Sequence, residues 1–207
     1  MLKAYFCRLP EKELPIPEAS LSAYRTEELE KQTNARVRLQ SVYSELLLRY
    51  ALDDSGFPVC GPLEIGVGKH GKPFLKNGAC FFSLSHSADA LLCALCDREI
   101  GADIQKKSKA REGVIERCFT AEEQAFVRGE SDHDAAFTAI WTKKESFCKR
   151  DGRGLALPLG SFSVFDAAIA PVLWHAATGE FHAAVCSDAV KTERPEWIEV
   201  KTDVLFP

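Results

Sequence analysis

The chain has 207 residues, of which 46% are hydrophobic and 27% are charged. This composition can fill the core of one large domain or two small ones, and it argues against a disordered chain. The formal net charge of −4 argues against a strongly basic nucleic-acid-binding protein.

The sequence also carries no signal for secretion or for a membrane span. The first residues, "MLKAYFCRLPEKELPIPE", lack an apolar signal-peptide core, and no apolar run approaches the length of a bilayer. Most of the eight cysteines lie among apolar neighbours, where free thiols pack as small core residues, so we expect buried thiols even for the C-x-x-C pair Cys93 and Cys96. We therefore expect a cytoplasmic protein with no nucleic-acid or membrane partner.

The first half of the chain predicts one long helix followed by short strands. Apolar residues recur at helical spacing over residues 27–52, which predicts a single amphipathic helix. Short strands are predicted at 63–67 and 79–84, with a glycine-rich turn between them. A polar "SHS" turn and the apolar run "ALLCALC" then lead to the stretch "IGADIQ".

The second half predicts helices and then strands. Thr120 and Glu123 have the spacing of a capping box at a helix start, and a longer helix is predicted over 134–150, where the glycines of "DGRGL" end it. Strands are predicted at 161–165, 171–177, 181–188 and 197–206. The mixture of helices and strands predicts an α+β fold.

The predicted helix at 134–150 carries charged residues on a face that should be apolar. Lys144 falls near the middle of its apolar stripe, so its stem either follows the core surface or delivers the ammonium to a cleft that binds phosphate. Glu145 and Lys149 are four residues apart and share a face. Taken alone, they could form an ordinary surface ion pair.

The stretch "IGADIQ" predicts a strand on which Asp103 and Gln105 project from one face. An acid and an amide supply oxygen ligands of the kind that Mg²⁺ prefers, although one carboxylate is fewer than a dedicated site often has. Ser85 and His86 in "SLSHS" are expected just after a strand, in a turn that could bind an anion.

Five motifs occur in a fixed order, namely "GKPFL", "FFSLSHS", "IGADIQ", "FTAEE" and "WTKKESFCKRDGRGL". Over residues 31–159 this order resembles the phosphopantetheinyl transferases of the surfactin-synthetase-activating (Sfp-like) type. The resemblance implies a pseudo-twofold duplicated α+β fold with two similar subdomains, residues 1–105 and 106–207, and an active-site cleft between them. It also implies a monomer.

The resemblance further implies the residues of the site. Asp103, Gln105 and Glu145 would be the Mg²⁺ ligands, although the family has an acid where this chain has Gln105. Glu145 would also act as the base, directly or through a water molecule, with Glu123 as an alternative, and Lys149 would stabilise the leaving phosphates. The implied contacts to coenzyme A are Lys31, Arg38, Ser41, Gly71, Lys72, Pro73, Ser85, His86, Lys144 and Lys149.

The implied reaction is the Mg²⁺-dependent transfer of the phosphopantetheine arm of coenzyme A to a serine of an apo acyl or peptidyl carrier protein. The carrier could serve fatty-acid, polyketide or nonribosomal-peptide synthesis. Because Gln105 replaces an acid, a coenzyme A or carrier-protein binding module with impaired catalysis is the alternative. A small hydrolase built on Ser85 or Ser87 with His86 is disfavoured because no G-x-S-x-G elbow is present.

Overall fold

The structure is a computed structural model that describes residues 1–10, 21–188 and 193–205. Its first sheet is built around β1 (Leu2–Arg8), which pairs antiparallel with β5 (Ala90–Cys96) and parallel with β9 (Glu196–Val200). β4 (Phe81–Ser87) completes the sheet in the order β4-β5-β1-β9. Every residue of β5 is buried, because α2 (Ala35–Asp54) covers one face of the sheet and the second half of the chain covers the other.

The single helix predicted over 27–52 is wrong, because the structure has two helices, α1 (Ala23–Lys31) and α2. The break has a local cause in Asn34. Its side-chain oxygen accepts hydrogen bonds from the backbone N–H groups of Arg36 and Val37, at 2.9 and 3.2 Å, and so caps the start of α2.

A small hairpin of β2 (Ile65–Val67) and β3 (Pro73–Leu75) follows, so the predicted strand at 63–67 is shorter than expected. The strand predicted at 79–84 extends further, as β4. Ser85 and His86 therefore lie within a strand, and the prediction that they follow one in a turn is wrong. Because side chains alternate along a strand, Ser85 is buried while His86 is exposed.

The second sheet consists of β6 (Ile100–Lys106), β7 (Leu173–Thr178) and β8 (Phe181–Ser187). Their order in the sheet is β6-β8-β7, and both pairings are antiparallel. The predicted strand at 161–165 is absent, since Leu159–Ser161 forms a 3-10 turn and Phe162–Phe165 is irregular. The last predicted strand, 197–206, ends as β9 at Val200 and is followed by a 3-10 turn at Thr202–Leu205.

Three helices belong to the second half of the chain. They are α3 (Glu112–Cys118), α4 (Ala121–Gly129) and α5 (His133–Asp151). The helix predicted over 134–150 is confirmed as α5, which ends at Gly152 in the left-handed conformation, with φ of 82°.

Helix α5 lies directly against β6, and Gly101 permits the close approach. A Cβ atom at this position would lie 2.0 Å from the backbone O of Ser146 and 2.2 Å from the backbone N of Arg150. Any other residue would therefore push the helix away from the strand.

The two sheets are joined at β4 and β6 by hydroxyl groups. Three serines of β4 accept hydrogen bonds from backbone N–H groups of β6: Ser83 from Ala102 at 2.9 Å, Ser85 from Ile104 at 3.3 Å, and Ser87 from Lys106 at 3.0 Å. These side chains satisfy the edge of β6 that β8 does not cover. An apolar cluster that includes Leu2, Leu92, Ile104 and Val185 packs between the sheets.

The mixture of helices and sheets agrees with the predicted class. The boundary expected between residues 105 and 106 falls inside β6, a strand whose sheet partners all come from the C-terminal half, while β9 returns to pair with β1. The duplication and the two subdomains stay predictions.

The eight cysteines are all free thiols, and six of them are buried, including Cys93 and Cys96. Burial raises the pKa of the Cys93 thiol far above its ordinary value, so it packs as a neutral core residue. Within residues 1–10, 21–188 and 193–205, no helix is both long and apolar enough to cross a membrane.

Candidate active site

Asp103 on β6 is the centre of the site. Its carboxylate is 2% exposed, and its Oδ1 atom accepts hydrogen bonds from Ser85 Oγ of β4 and Lys149 Nζ of α5, both at 2.7 Å. Lys149 Nζ also donates to Ser85 Oγ at 2.9 Å. The serine contacts between β4 and β6 and the close approach of α5 at Gly101 therefore bring together three residues that lie far apart in the sequence.

Gln105 holds the same carboxylate from its other oxygen. Its Nε2 donates to Asp103 Oδ2 at 3.1 Å, while its Oε1 faces Ser87 Oγ at 3.5 Å. A carboxylate oxygen accepts hydrogen bonds, so the amide must present its nitrogen to Asp103. In this geometry Gln105 orients Asp103, and its role as a metal ligand stays a prediction.

Glu145 lies half-buried near Asp103 on α5. Burial raises the pKa of its carboxyl group, the negative charge of Asp103 raises it further, and Lys149 opposes both effects. Among the described residues, no hydrogen bond or ion pair holds this carboxylate. The negative charge of Asp103 thus disfavours ionisation of Glu145, and the positive charge of Lys149 favours it.

The donor set of Asp103 and Glu145 fits a hard divalent cation. In the described ranges, no group of three or more His, Cys, Asp and Glu side chains could hold a metal ion. Mg²⁺, however, is usually held by one or two carboxylates together with water and the phosphates of a substrate. Asp103 and Glu145 would hold such an ion, and it would lower the repulsion that raises the pKa of Glu145.

The glycine-lysine-proline turn lies against the same end of α5. A cavity of about 240 Å³ is lined by Gly71, Lys72 and Pro73 on one side and by Lys149 and Gly152 on the other. Gly71 has φ of 87°, a conformation that favours glycine. The structure therefore brings this turn to Lys149, as the sequence predicts.

Lys72 has two fixed partners, Glu99 Oε2 at 2.8 Å and the Ile100 backbone O at 2.9 Å. A second cavity of about 620 Å³ adjoins this ion pair and has Phe74 and Phe81 on its apolar wall. The two cavities share Lys72, Pro73 and Gly152, so they form one cleft around the turn.

The exposed His86 on β4 lies within the electrostatic reach of the site. Although the side chain reaches solvent, the surrounding protein partly desolvates the imidazole and lowers its pKa; the charges of Lys149 and Arg25 lower it further, and Asp103 opposes them. The imidazole is therefore neutral over more of the physiological pH range than an ordinary histidine.

Three predicted coenzyme A contacts are instead engaged at the junction of α1 and α2. Lys31 forms an exposed ion pair with Glu28 at 2.9 Å, and the Arg38 guanidinium donates to the carbonyl groups of Leu29 and Gln32. The buried Ser41 donates to Gln32 Oε1 at 3.0 Å. These side chains hold the end of α1, and their contact with coenzyme A stays a prediction.

Lys144 is engaged away from Asp103, and its contact with phosphate stays a prediction. It is fully buried and pairs with Glu123 Oε2 at 2.8 Å. Its remaining donors bond to the carbonyl groups of Leu159 and Phe162, at 2.8 and 2.7 Å. All three hydrogens of the ammonium group are used inside the protein.

Glu123 shares this interior network. The predicted capping box with Thr120 is confirmed, and the second carboxylate oxygen of Glu123 accepts from the backbone N–H of Val164 at 2.8 Å. Because its carboxylate is enclosed and fully bonded, Glu123 is poorly placed to act as a base.

Sequence reasoning missed Arg25, the basic residue that α1 brings close to the site. It is 8% exposed, its charge lowers the pKa of His86, and its Nε lies 3.5 Å from Glu45 Oε2. Glu45 is fully buried on α2 and also accepts hydrogen bonds from Ser22. The sequence contained one signal for this pairing, the acid Glu45 within the apolar run "YSELLLRY". A buried carboxylate needs a positive charge or hydrogen-bond donors beside it.

Comparison with known proteins gives a family match in the second half of the chain. Residues 99–195 match the family model of the 4′-phosphopantetheinyl transferase superfamily, a range that contains Asp103, Glu145 and Lys149. The chain is similar to this superfamily over that range, which is just under half of its length.

The curated relatives include bacterial transferases of the Sfp-like type. The chain is 30% identical to a 4′-phosphopantetheinyl transferase of Bacillus subtilis, over 70% of this chain and 66% of the relative. It is 31% identical to the 4′-phosphopantetheinyl transferase Sfp of Bacillus subtilis strain 168, over 68% of this chain and 60% of the relative. It is 26% identical to the 4′-phosphopantetheinyl transferase gsp of Aneurinibacillus migulanus, over 70% of this chain and 61% of the relative. These matches confirm the resemblance to the Sfp-like type, and they span less than two thirds of each relative's length.

Proposed function

We propose that this protein transfers the phosphopantetheine arm of coenzyme A to a serine of an apo carrier protein. The serine oxygen would form a bond to the phosphorus that carries the arm, and the pyrophosphate bond would break to release adenosine 3′,5′-bisphosphate. The observation that carries the proposal is the cluster of Asp103, Glu145 and Lys149 beside the cleft of the glycine-lysine-proline turn.

The residues of the cluster suit this chemistry. Asp103 and Glu145 would hold Mg²⁺, which when bound supplies neutralisation of the pyrophosphate charge. Lys149 is 32% exposed, so its ammonium can reach a phosphate in the cleft, and Lys72 and His86 would contact coenzyme A from the turn and from β4. Preorganised positive charge beside the leaving group is the main contribution that a protein makes to such a transfer.

The proton of the carrier serine would pass to Glu145, directly or through a water molecule. A carboxylate that holds Mg²⁺ has a lowered pKa and is a weaker base, so Glu145 would act first as a ligand and would take the proton through a water molecule. Glu123 is disfavoured as the base because its carboxylate is buried and bonded to Thr120, Lys144 and Val164.

The partners and setting belong to the same proposal. The carrier would be an acyl or peptidyl carrier protein of fatty-acid, polyketide or nonribosomal-peptide synthesis, and the enzyme would act as a cytoplasmic monomer. Coenzyme A would bind between two similar subdomains, divided near residue 105. The basic segment "QKKSKAR", residues 105–111, starts in β6 and could contact an acidic carrier. It offers less free positive charge than its sequence suggests, because Lys106 pairs with Glu180 and Lys107 with Asp132.

The test incubates the purified chain with coenzyme A, Mg²⁺ and an apo carrier, and weighs the carrier by intact-protein mass spectrometry. We expect a mass gain of one phosphopantetheine group. Glu145→Gln should lower the rate by at least about a hundredfold, since this variant loses both the ligand charge and the proton acceptor. Glu130→Gln makes the same chemical change at an exposed position and should leave the rate unchanged. Near-normal turnover of Glu145→Gln would refute the assigned site.

Gln105 motivates one alternative, a module that binds coenzyme A or carrier protein with impaired catalysis. Its neutral amide occupies the position of the family's third acid and bonds to Asp103. Coenzyme A binding without a mass gain in any of a panel of carriers would favour this alternative.

A further inference from the structure

The ammonium group of Lys149 occupies one oxygen of the carboxylate that would hold the metal ion. Lys149 Nζ and Ser85 Oγ both donate to Asp103 Oδ1, and the backbone N–H of Ile104 completes the bonds of Ser85. A carboxylate oxygen has two lone-pair directions, so both are used on Oδ1. The remaining oxygen accepts from Gln105.

The charges of the cluster explain why Lys149 occupies this position. Asp103 is almost completely buried, and a buried carboxylate needs a compensating positive charge. Gln105 is a neutral donor, so Lys149 supplies that charge, and it also lowers the pKa of the neighbouring Glu145.

Lys149 differs from Lys72, on the opposite wall of the cleft, in its freedom to leave. Its side chain is 32% exposed, it lies in the last turn of α5 and it lines the cavity of about 240 Å³. Lys72 on the opposite wall is bound to Glu99 and Ile100. A lysine ammonium on a flexible stem can exchange one anionic partner for another without movement of the helix.

We propose that Lys149 is an internal counter-cation of Asp103 that competes with a divalent metal ion until the phosphates of coenzyme A draw its ammonium into the cleft. This inference rests on the proposed function, which places metal and coenzyme A at this site. Because linkage is reciprocal, coenzyme A then strengthens metal binding, and the metal strengthens coenzyme A binding by the same factor.

The test measures metal binding to the free protein, without coenzyme A or carrier. Mn²⁺ serves as the probe, and its free concentration is followed by electron paramagnetic resonance. Lys149→Met removes the competitor and should tighten Mn²⁺ binding by roughly tenfold, within the usual range of coupling between sites. If Lys149 served only as a contact to phosphate, the variant would bind Mn²⁺ as the wild type does.

Three further variants control the measurement. Lys72→Met removes a lysine from the same cleft and should leave Mn²⁺ affinity within about twofold of the wild type, because Lys72 is paired with Glu99. Lys149→Arg keeps the counter-cation and should keep wild-type affinity. Asp103→Asn should abolish binding, which identifies the site. Circular dichroism verifies that each variant is folded, and Lys149→Gln substitutes for the methionine variant if that fails to fold.

Titration with coenzyme A present supplies the second measurement. In the wild type, coenzyme A should tighten Mn²⁺ binding. The factor by which coenzyme A raises the Mn²⁺ affinity should be smaller in Lys149→Met. Equal or weaker Mn²⁺ binding by Lys149→Met, or an equal factor in both proteins, would overturn the inference. If the wild type still transfers the arm to a carrier, the proposed function survives that result. If no protein binds Mn²⁺ and the wild type makes no transfer, the proposed function itself fails.

Discussion

Replacing Lys144 with methionine should destabilise the fold strongly, although this lysine belongs to a motif that resembles catalytic machinery. Burial lowers the pKa of Lys144, whereas the hydrogen bond and the charge interaction with Glu123 raise that pKa. Methionine keeps most of the apolar stem but removes the ammonium group. Glu123 would then be a buried carboxylate with no positive charge beside it.

The expected loss in the free energy of unfolding follows from the groups that Lys144→Met leaves without a partner. Removing one partner of a buried ion pair costs about 3–5 kcal/mol, because the other charge stays in a poorly polarisable interior. The carbonyl groups of Leu159 and Phe162 would also lose their donor. Two backbone N–H groups, of Thr120 and Val164, continue to bond to Glu123 and limit the loss. We therefore expect the free energy of unfolding to fall by about 4 kcal/mol.

Urea denaturation followed by circular dichroism measures this change. The double variant Lys144→Met with Glu123→Gln removes both charges, so its loss should be smaller than the sum of the two single losses. Lys31→Met breaks only an exposed pair with Glu28 and should leave the free energy of unfolding unchanged. A loss below about 1 kcal/mol for Lys144→Met, or strictly additive losses, would refute the buried-pair reasoning.

Two further predictions concern packing and pH. Gly101→Ala should separate α5 from β6, since the new Cβ would lie 2.0 Å from the backbone O of Ser146. We expect a large loss both of stability and of Mn²⁺ binding, and wild-type values would contradict the close approach. Burial, with smaller effects of Lys143 and His182, lowers the pKa of His175 to about 4. The unfolded chain binds this proton near pH 6.5 and the folded chain only near pH 4, so stability should decline as the pH falls through that window, by up to about 3 kcal/mol. His175→Gln should reduce the decline, and identical pH profiles of unfolding would show that this histidine does not cause it.

The sequence determined much of the second half of the chain, because its signals are local. The capping box of Thr120 and Glu123 acts through neighbouring backbone groups, as does Gly152 at the end of α5. The start of α4 and the end of α5 therefore follow from the local sequence alone. The break between α1 and α2 also has a local cause in Asn34, but the continuous helical periodicity across residues 27–52 concealed it.

The motifs likewise predicted that Asp103, Glu145, Lys149 and the turn around Lys72 belong to one site. In the structure Lys72 and Lys149 line one cleft, and Asp103 and Glu145 lie beside Lys149. A sequence motif alone does not separate residues that bind a ligand from residues that support the fold. Lys144 and Glu145 are adjacent in the sequence, yet they project in different directions from α5, the first into the core and the second towards Asp103.

Only the tertiary structure decided the partners of each charge. The sequence offered lysines and arginines as equivalent candidates for binding an anion, but burial and distance distinguish them. The charge of Arg25 acts on His86, Arg38 holds the end of α1, and Lys149 bonds to Asp103. These three interactions join separate elements, whereas Lys31 pairs with Glu28 inside α1. The energy of a charge pair depends on distance and burial, which no single segment of the sequence contains.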